Sequence, residues 1–287
     1  MKVAVISNGS PDYLIDIVAD GLIRLLGRDR VHLRFNQTST ADPYRSQLLN
    51  GFGGQNKIDF LEANLLVASV RTNPSDIAAW VRETNGGRVA IADGEDDPVI
   101  RTPHYNVSSI YYKREFLPNA GYPGRVRPLP FAAIPEERPV VAARDIPVSF
   151  SVGITSPIRI EIQSTLRAMG VKAEMDLRVK KEYNAVLCRS LIGISARGAG
   201  WDTYRYWETA YFGCALFSQR MAIAIPGNFA DGTEAIFFDG MDDFKKKLEW
   251  LLADPAKAAA IGKASQAACM ERHLSIHRAK TVLESVL

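Results

Sequence analysis

The stretch Gly198 to Gly213, GAGWDTYRYWETAYFG, concentrates residues able to hold a phosphorylated ligand. A glycine-lined turn lets backbone N–H groups approach a phosphate, a helix start adds partial positive charge, and a carboxylate one or two turns in accepts hydrogen bonds from sugar hydroxyls. Here Gly198 and Gly200 supply the turn, Arg197 and Arg205 flank it, and Glu208 is the carboxylate. At helical spacing Tyr204, Trp207 and Tyr211 fall together while Arg205, Glu208 and Phe212 share another face, so one side is expected to pack and the other to meet a ligand. Trp201 and Asp202 border the expected sugar pocket, although Asp202 reads equally as the helix N-cap. The set suits a nucleoside diphosphate, with the ribose on Glu208.

Other residues compete for the same task. Gly153, Ser156 and Arg159 are candidates for the diphosphate, against a plain helix start at Ser156-Pro157 with Arg159 on the surface. Arg197 and Arg205 are rival phosphate ligands, or else ion-pair partners of Glu208. Lys180 and Lys181, just before Tyr183, read more readily as a solvated pair than as a functional one. In the first half, Asp93, Glu95, Asp96 and Asp97 come straight off an apolar run, where an open sheet places catalytic groups. Asp93 is the first choice for a general base facing an acceptor hydroxyl, with Glu95 and Asp96 beside it. A metal at the DGEDD spacing is a weaker reading, and an acidic loop paired with Lys113, Arg114 or Arg101 has equal standing. His273 and His277, four apart, lack a third metal ligand and read as an exposed helical tail. With His32 and His104 isolated, no Ser-His-Asp constellation can be assembled.

The elements that must position these groups follow from periodicity. Val3–Ser7, Val31–Phe35, Leu65–Ser69 and Val89–Ala92 read as buried parallel strands, with helices between them. Ser10 and Pro11 are the expected N-cap and first residue of the helix running towards Leu26. The proline-punctuated PEERPVVAARDIPVS reads as an interdomain link, and Phe150–Ile154 restarts the strand pattern. A helix follows through Ile162, Leu166 and Met169 to Gly170. Amphipathic spacing predicts a helix through Phe244, Leu248, Leu251 and Leu252 that stops before Pro255, and two more beyond it. The expected fold is α/β, two Rossmann-like doubly wound domains facing each other across a cleft: 1–143, 144–271, and a C-terminal helix over 272–287.

The chain of 287 residues is long enough for two cores, and its 47% hydrophobic and 23% charged residues fit a globular protein. No apolar run is long enough to cross a bilayer, and VAVIS after Met1-Lys2 is too short for a signal peptide, so a soluble cytoplasmic protein is expected. Three widely spaced cysteines read as buried thiols. A net charge of +3 gives no argument for a nucleic-acid partner. Seven basic residues against three acidic ones between Val99 and Arg144 face an anionic substrate or merely water.

From Ser190 the order SLIGISARGAGWDTYRYWETAYFGCALFSQ, FADGTEAIFFDGMDDFKKKLEWLLADP and ERHLSIHRAKTVLESVL resembles the C-terminal domain of GT-B glycosyltransferases, in particular the group-1 and spore-maturation-like group. The resemblance implies metal-independent transfer of a hexose or related sugar from a nucleotide-diphosphate sugar, UDP- or GDP-linked, to an unidentified acceptor. It implies that Glu208 binds the ribose, that Tyr183 lies near the nucleobase, and that the final helix packs back on the N-terminal domain. It also implies an acidic turn followed by a Lys-Arg-Glu segment, here Lys113-Arg114-Glu115. Many retaining members carry a second Glu where this chain has Gly200, which leaves retaining and inverting chemistry both open. A non-catalytic nucleotide-binding protein of the same fold, and a nucleic-acid base as acceptor, are the alternatives.

Overall fold

The computed structural model describes residues 1–7, 12–35, 59–138 and 143–286. The chain divides into two compact units: Met1–Ile134 with Ile223–Ile225 and Leu274 onward, and Pro135–Ala222 with Pro226–His273.

In the first unit, strands β1 (Val3–Ser7), β2 (Val31–Phe35), β3 (Leu65–Ser69), β4 (Arg88–Asp93), β5 (Ile110–Lys113) and β6 (Val126–Pro128) form a parallel sheet in the order β2-β1-β3-β4-β5-β6. β1, β3 and most of β4 are continuous buried apolar runs because parallel strands are covered on both faces. Helices α1 (Tyr13–Leu26), α2 (Pro74–Glu83) and α3 (Thr102–Val107) connect them. The expected Ser10 cap and Pro11 lie outside the described residues. The cap of α1 is Asp12, whose Oδ1 accepts from the N–H groups of Leu14 and Ile15 at 3.1 and 3.4 Å. Helix α1 is buried from Leu14 to Ile23, since the last helix of the chain (Ser275–Glu284) packs on it. At the crossing a Cβ on Gly21 would lie 2.1 Å from the Ser275 carbonyl oxygen, so only glycine allows that approach.

The second unit holds β7 (Ile146–Ser149), β8 (Ala173–Glu174), β9 (Ser190–Ser195), β10 (Ala215–Gln219) and β11 (Ile236–Phe238), parallel and ordered β11-β10-β9-β7-β8. Helices α4 (Pro157–Ala168), α5 (Lys180–Arg189), α6 (Tyr204–Tyr211), α7 (Met241–Ala253) and α8 (Pro255–Arg272) surround it; the C-terminal Ser275–Glu284 is α9. Val148, Ile162, Leu166, Ile192, Phe217, Phe244 and Leu248 are among its core residues. The strand expected at Phe150–Ile154 is instead β7, four residues earlier, inside the segment read as a linker. Pro147 is tolerated because β8 is short: its ladder with β7 begins only at Val148↔Ala173. Gly193 lets α6 settle on β9, where a Cβ would lie 2.4 Å from Thr209 Cγ2. Both units are doubly wound.

Candidate functional site

In the second unit β7 and β9 are neighbours, but the chain leaves β7 towards β8 and leaves β9 towards β10. Divergent loops of this kind open a crevice outside the carboxyl ends of the strands. A cavity of about 460 Å³ lies there, lined by Thr155, Ser156, Pro157, Ile158, Arg197, Gly198, Ala199, Trp201 and Gln219. It meets the N-terminus of the twelve-residue helix α4, whose dipole favours an anion. Ser156 occupies the N-cap position of α4 without capping it; its hydroxyl donates to the Arg197 carbonyl at 2.7 Å and ties the two loops together.

Arg159 is buried, contrary to its reading as a surface residue. Its guanidinium donates to the carbonyls of Gly153 (2.8 Å) and Ala196 (3.1 Å) and to Thr155 Oγ1 (2.9 Å), while the buried Nε has no hydrogen-bond partner. Burial, and then Arg205, pull Arg159 down to about 10, which leaves it charged at neutral pH. A buried cation held only by neutral acceptors is a site for an anion. Arg197 reaches over Trp201, 4.9 Å from the ring centroid, and its N–H donates to Gln219 Oε1 at 3.1 Å. The Gly198 N–H is directed to the Gly200 carbonyl (2.9 Å), so the glycine turn does not offer that amide to a phosphate as expected. Gly198 still matters sterically, since a Cβ there would lie 2.9 Å from Arg159 Nη2.

Helix α6 does not divide into a packed face and a ligand face. Residues Tyr206 to Tyr211 are all buried. Tyr206 is wedged among Trp207, Phe229 and Phe237, and its hydroxyl donates to Asn228 Oδ1. Asp202 is not the helix N-cap: it is 2% exposed, accepts from Trp207 Nε1 at 2.8 Å, and leaves the N-cap position to Thr203. Glu208 is 6% exposed, and its ion-pair partner is Lys180, with Nζ 2.5 Å from Oε1, in place of Arg197 or Arg205. Lys180 is therefore not solvated, unlike the exposed Lys181. Arg205 Nε donates to the Ser151 carbonyl at 2.6 Å, and its guanidinium lies 5.8 Å from the Tyr183 ring centroid. The loop 150–155 thus carries the carbonyls that hold both Arg159 and Arg205. Glu136, overlooked in the sequence, completes the group at 3.2 Å from Lys180 Nζ. Its only signal was an acidic pair in a proline-rich segment, which is too common to single out.

In the first unit the acidic turn is an ion-pair network. Asp93 is fully buried, its Oδ1 lies 2.9 Å from Lys113 Nζ and accepts from the Glu95 N–H at 3.1 Å, and its Oδ2 accepts from the Tyr111 hydroxyl. Burial and then Asp93 push the Tyr111 phenol far above its ordinary value. A carboxylate so enclosed cannot face an acceptor, which corrects the first choice for the general base. Glu95 pairs with Arg71 at 2.7 Å, Asp96 with Arg114, and Asp97 with Arg101 at 2.6 Å. The two histidines read as a tail pair are also placed otherwise: His273 is buried after α8 with Nε2 2.8 Å from the Gly227 carbonyl, while His277 lies in α9 and accepts from the Leu274 N–H. Among the described residues no helix is long and apolar enough to cross a membrane, and the three cysteines are buried free thiols.

Residues 165–284 match the family model for glycosyl transferase-like proteins. No curated protein matches the sequence. The fold is similar to that of HepE from Anabaena, solved in complex with UDP (TM-score 0.65, 10% identity, 100% of this chain and 99% of that one) and with UDP-glucose (TM-score 0.66, 9% identity, the same coverage). It is also similar to a sucrose-phosphate synthase from Thermosynechococcus elongatus (TM-score 0.62, 12% identity, 99% of this chain and 97% of that one). Residues 165–284 thus match a glycosyl transferase-like family, and the chain as a whole shares the fold of these solved glycosyltransferase structures.

Proposed function

We propose that the protein moves a sugar from a nucleotide-diphosphate sugar to an acceptor hydroxyl without a metal ion, with the donor in the second unit. The observation that carries this reading is the cavity at the carboxyl ends of β7 and β9: a helix N-terminus and Arg197 border it, buried Arg159 contacts its Thr155 and Gly198, and no described lining residue is acidic. Departing diphosphate needs this electrostatic environment, because cations and dipoles fixed in advance stabilise the charge that develops on the leaving group. Ser156, Arg159 and Arg197 would take the diphosphate, Trp201 the sugar, and Glu208 the ribose, with Arg205 and Tyr183 beside it. Uracil is the base favoured by analogy with HepE, solved with UDP and UDP-glucose. Of the three carboxylates expected to take a proton from the acceptor, Glu95 and Asp96 reach solvent and Asp93 does not, so acceptor activation is assigned to the first two.

Calorimetric titration with UDP and GDP tests the donor assignment. Glu208→Ala is expected to weaken nucleotide binding by about 10- to 100-fold, the loss of hydrogen bonds to a charged group worth ~1.5–3 kcal/mol. Unchanged affinity would remove Glu208 from the site. Donor hydrolysis that persists in excess EDTA is the expected sign of metal-independent chemistry.

A further inference from the structure

One ammonium serves two carboxylates in the second unit. Lys180 Nζ lies 2.5 Å from Glu208 Oε1 and 3.2 Å from Glu136 Oε1, and Asn184 Nδ2 donates to the other oxygen of Glu136 at 2.5 Å. Glu136 is anchored in turn through its backbone, since its N–H and carbonyl both bond the Tyr211 hydroxyl, at 3.0 and 2.7 Å. Burial opposes the ammonium, but Glu208 and then Glu136 outweigh it and hold Lys180 above its ordinary value. Burial and then Glu208 push the Tyr183 phenol well up, so this hydroxyl stays a donor towards the carboxylate.

A carboxylate that is to hold a vicinal diol must be ionised and fixed in rotation, because only the ionised form is acceptor on both oxygens. Lys180 serves both needs at Glu208: it supplies the counter-charge at Oε1 and holds that oxygen in place. Without it, Glu208 and Glu136 lose the cation that they share.

We propose that Lys180, held in place by Glu136, is a positioning residue for nucleoside recognition, fixing the charge and orientation of Glu208 towards the ribose diol of the donor. The proposal rests on the donor reading given above. It is tested on the full chain by measuring the dissociation constants of UDP and 2′,3′-dideoxy-UDP, whose ratio isolates the diol from every other contact. The parent is expected to favour UDP by about tenfold or more, as hydrogen bonds to a charged acceptor do. Lys180→Met should bring the ratio to within about twofold and leave the dideoxy affinity unchanged, Lys180→Arg should restore most of the preference, and Glu136→Gln should fall between. A general structural defect would instead weaken both ligands together.

Lys180→Met that keeps the parental ratio while Glu208→Ala loses it overturns the role of Lys180 and leaves the donor reading intact. Glu208→Ala that keeps the ratio overturns the donor reading itself. If circular dichroism shows Lys180→Met unfolded, Glu136→Gln decides: a full parental preference overturns the proposal, and a reduced one with unchanged dideoxy affinity supports it.

Discussion

The two units present the same feature of topology with opposite electrostatics. In the first, the chain diverges between β1 and β3, where the Ser69 hydroxyl donates to Asp12 and Arg71 pairs with Glu95. Next to it, Asp93, Asp96 and Asp97 are each matched by a cation. In the second, the divergence between β7 and β9 opens into a cavity lined by Arg197, which lies over the Trp201 ring, while Arg159 and Arg205 hold carbonyls of the loop after β7 instead of carboxylates. Matched charges hold a fold together, whereas cations set against neutral acceptors remain able to take an external anion. The acidic turn is thus matched by cations within its own unit, whereas Arg159 and Arg205 are held by neutral groups.

The largest effect should come from unmatching the first unit. Lys113→Met leaves Asp93 buried without its counter-ion and is expected to cost about 3–5 kcal/mol in urea unfolding, with UDP affinity within about twofold of the parent. A variant of parental stability would break the contrast at its structural end. Arg159→Met is expected to act chiefly on the ligand, lowering UDP affinity about 10- to 100-fold and reducing the rise in melting temperature that UDP gives the parent. Arg197→Ala, at an exposed position, is expected to lower UDP affinity about tenfold or less and to shift stability by no more than about 0.5 kcal/mol.

The smallest effect returns to the first unit and concerns alkaline pH. Burial pushes the Tyr112 phenol up to about 12, and its hydroxyl donates to the Thr281 carbonyl at 3.2 Å. From its ordinary value of 10.0 up to about 12, the unfolded chain has lost this proton while the folded chain keeps it. Stability therefore falls as pH rises across that window. Tyr112→Phe should flatten this part of the fall in melting temperature, and an unaltered slope would count against the burial of that phenol.

Strands were readable where they are continuous apolar runs: β2 and β3 match their expected limits, and β4 differs by a residue at each end. β7 was hidden by its own Pro147, because a proline argues against a central strand unless one sees that the neighbouring ladder starts beyond it. Ser156, Arg197, Gly198 and Trp201 stand out in sequence because they belong to two short loops with recognisable glycine and helix-start chemistry, and Arg159 because it follows one of them in the first turn of α4. Charge pairing was readable in the first unit, where Lys113, Arg114 and Arg101 are the expected partners of the acidic turn, but not in the second. Lys180 and Glu208 are 28 residues apart, and Glu136 and Asn184 are 48 apart, so no local spacing relates them. Likewise, amphipathic counting on α6 puts Glu208 on a face open to a ligand, although its carboxylate is largely buried against Lys180.

The position of α9 has a consequence for how the protein is made. The Ser275 hydroxyl donates to Asp20, and Arg278 Nε donates to the carbonyls of Pro130 and Phe131, so the first unit needs residues from opposite ends of the sequence. On the ribosome, segments emerge in order, and domains generally fold as they appear. Here the earlier-born unit must wait, with the apolar flank of α1 uncovered, until residues 274–286 have been translated, by which time nearly all of the later-born unit is already out. Maturation of the two halves should run in the reverse of their order of synthesis.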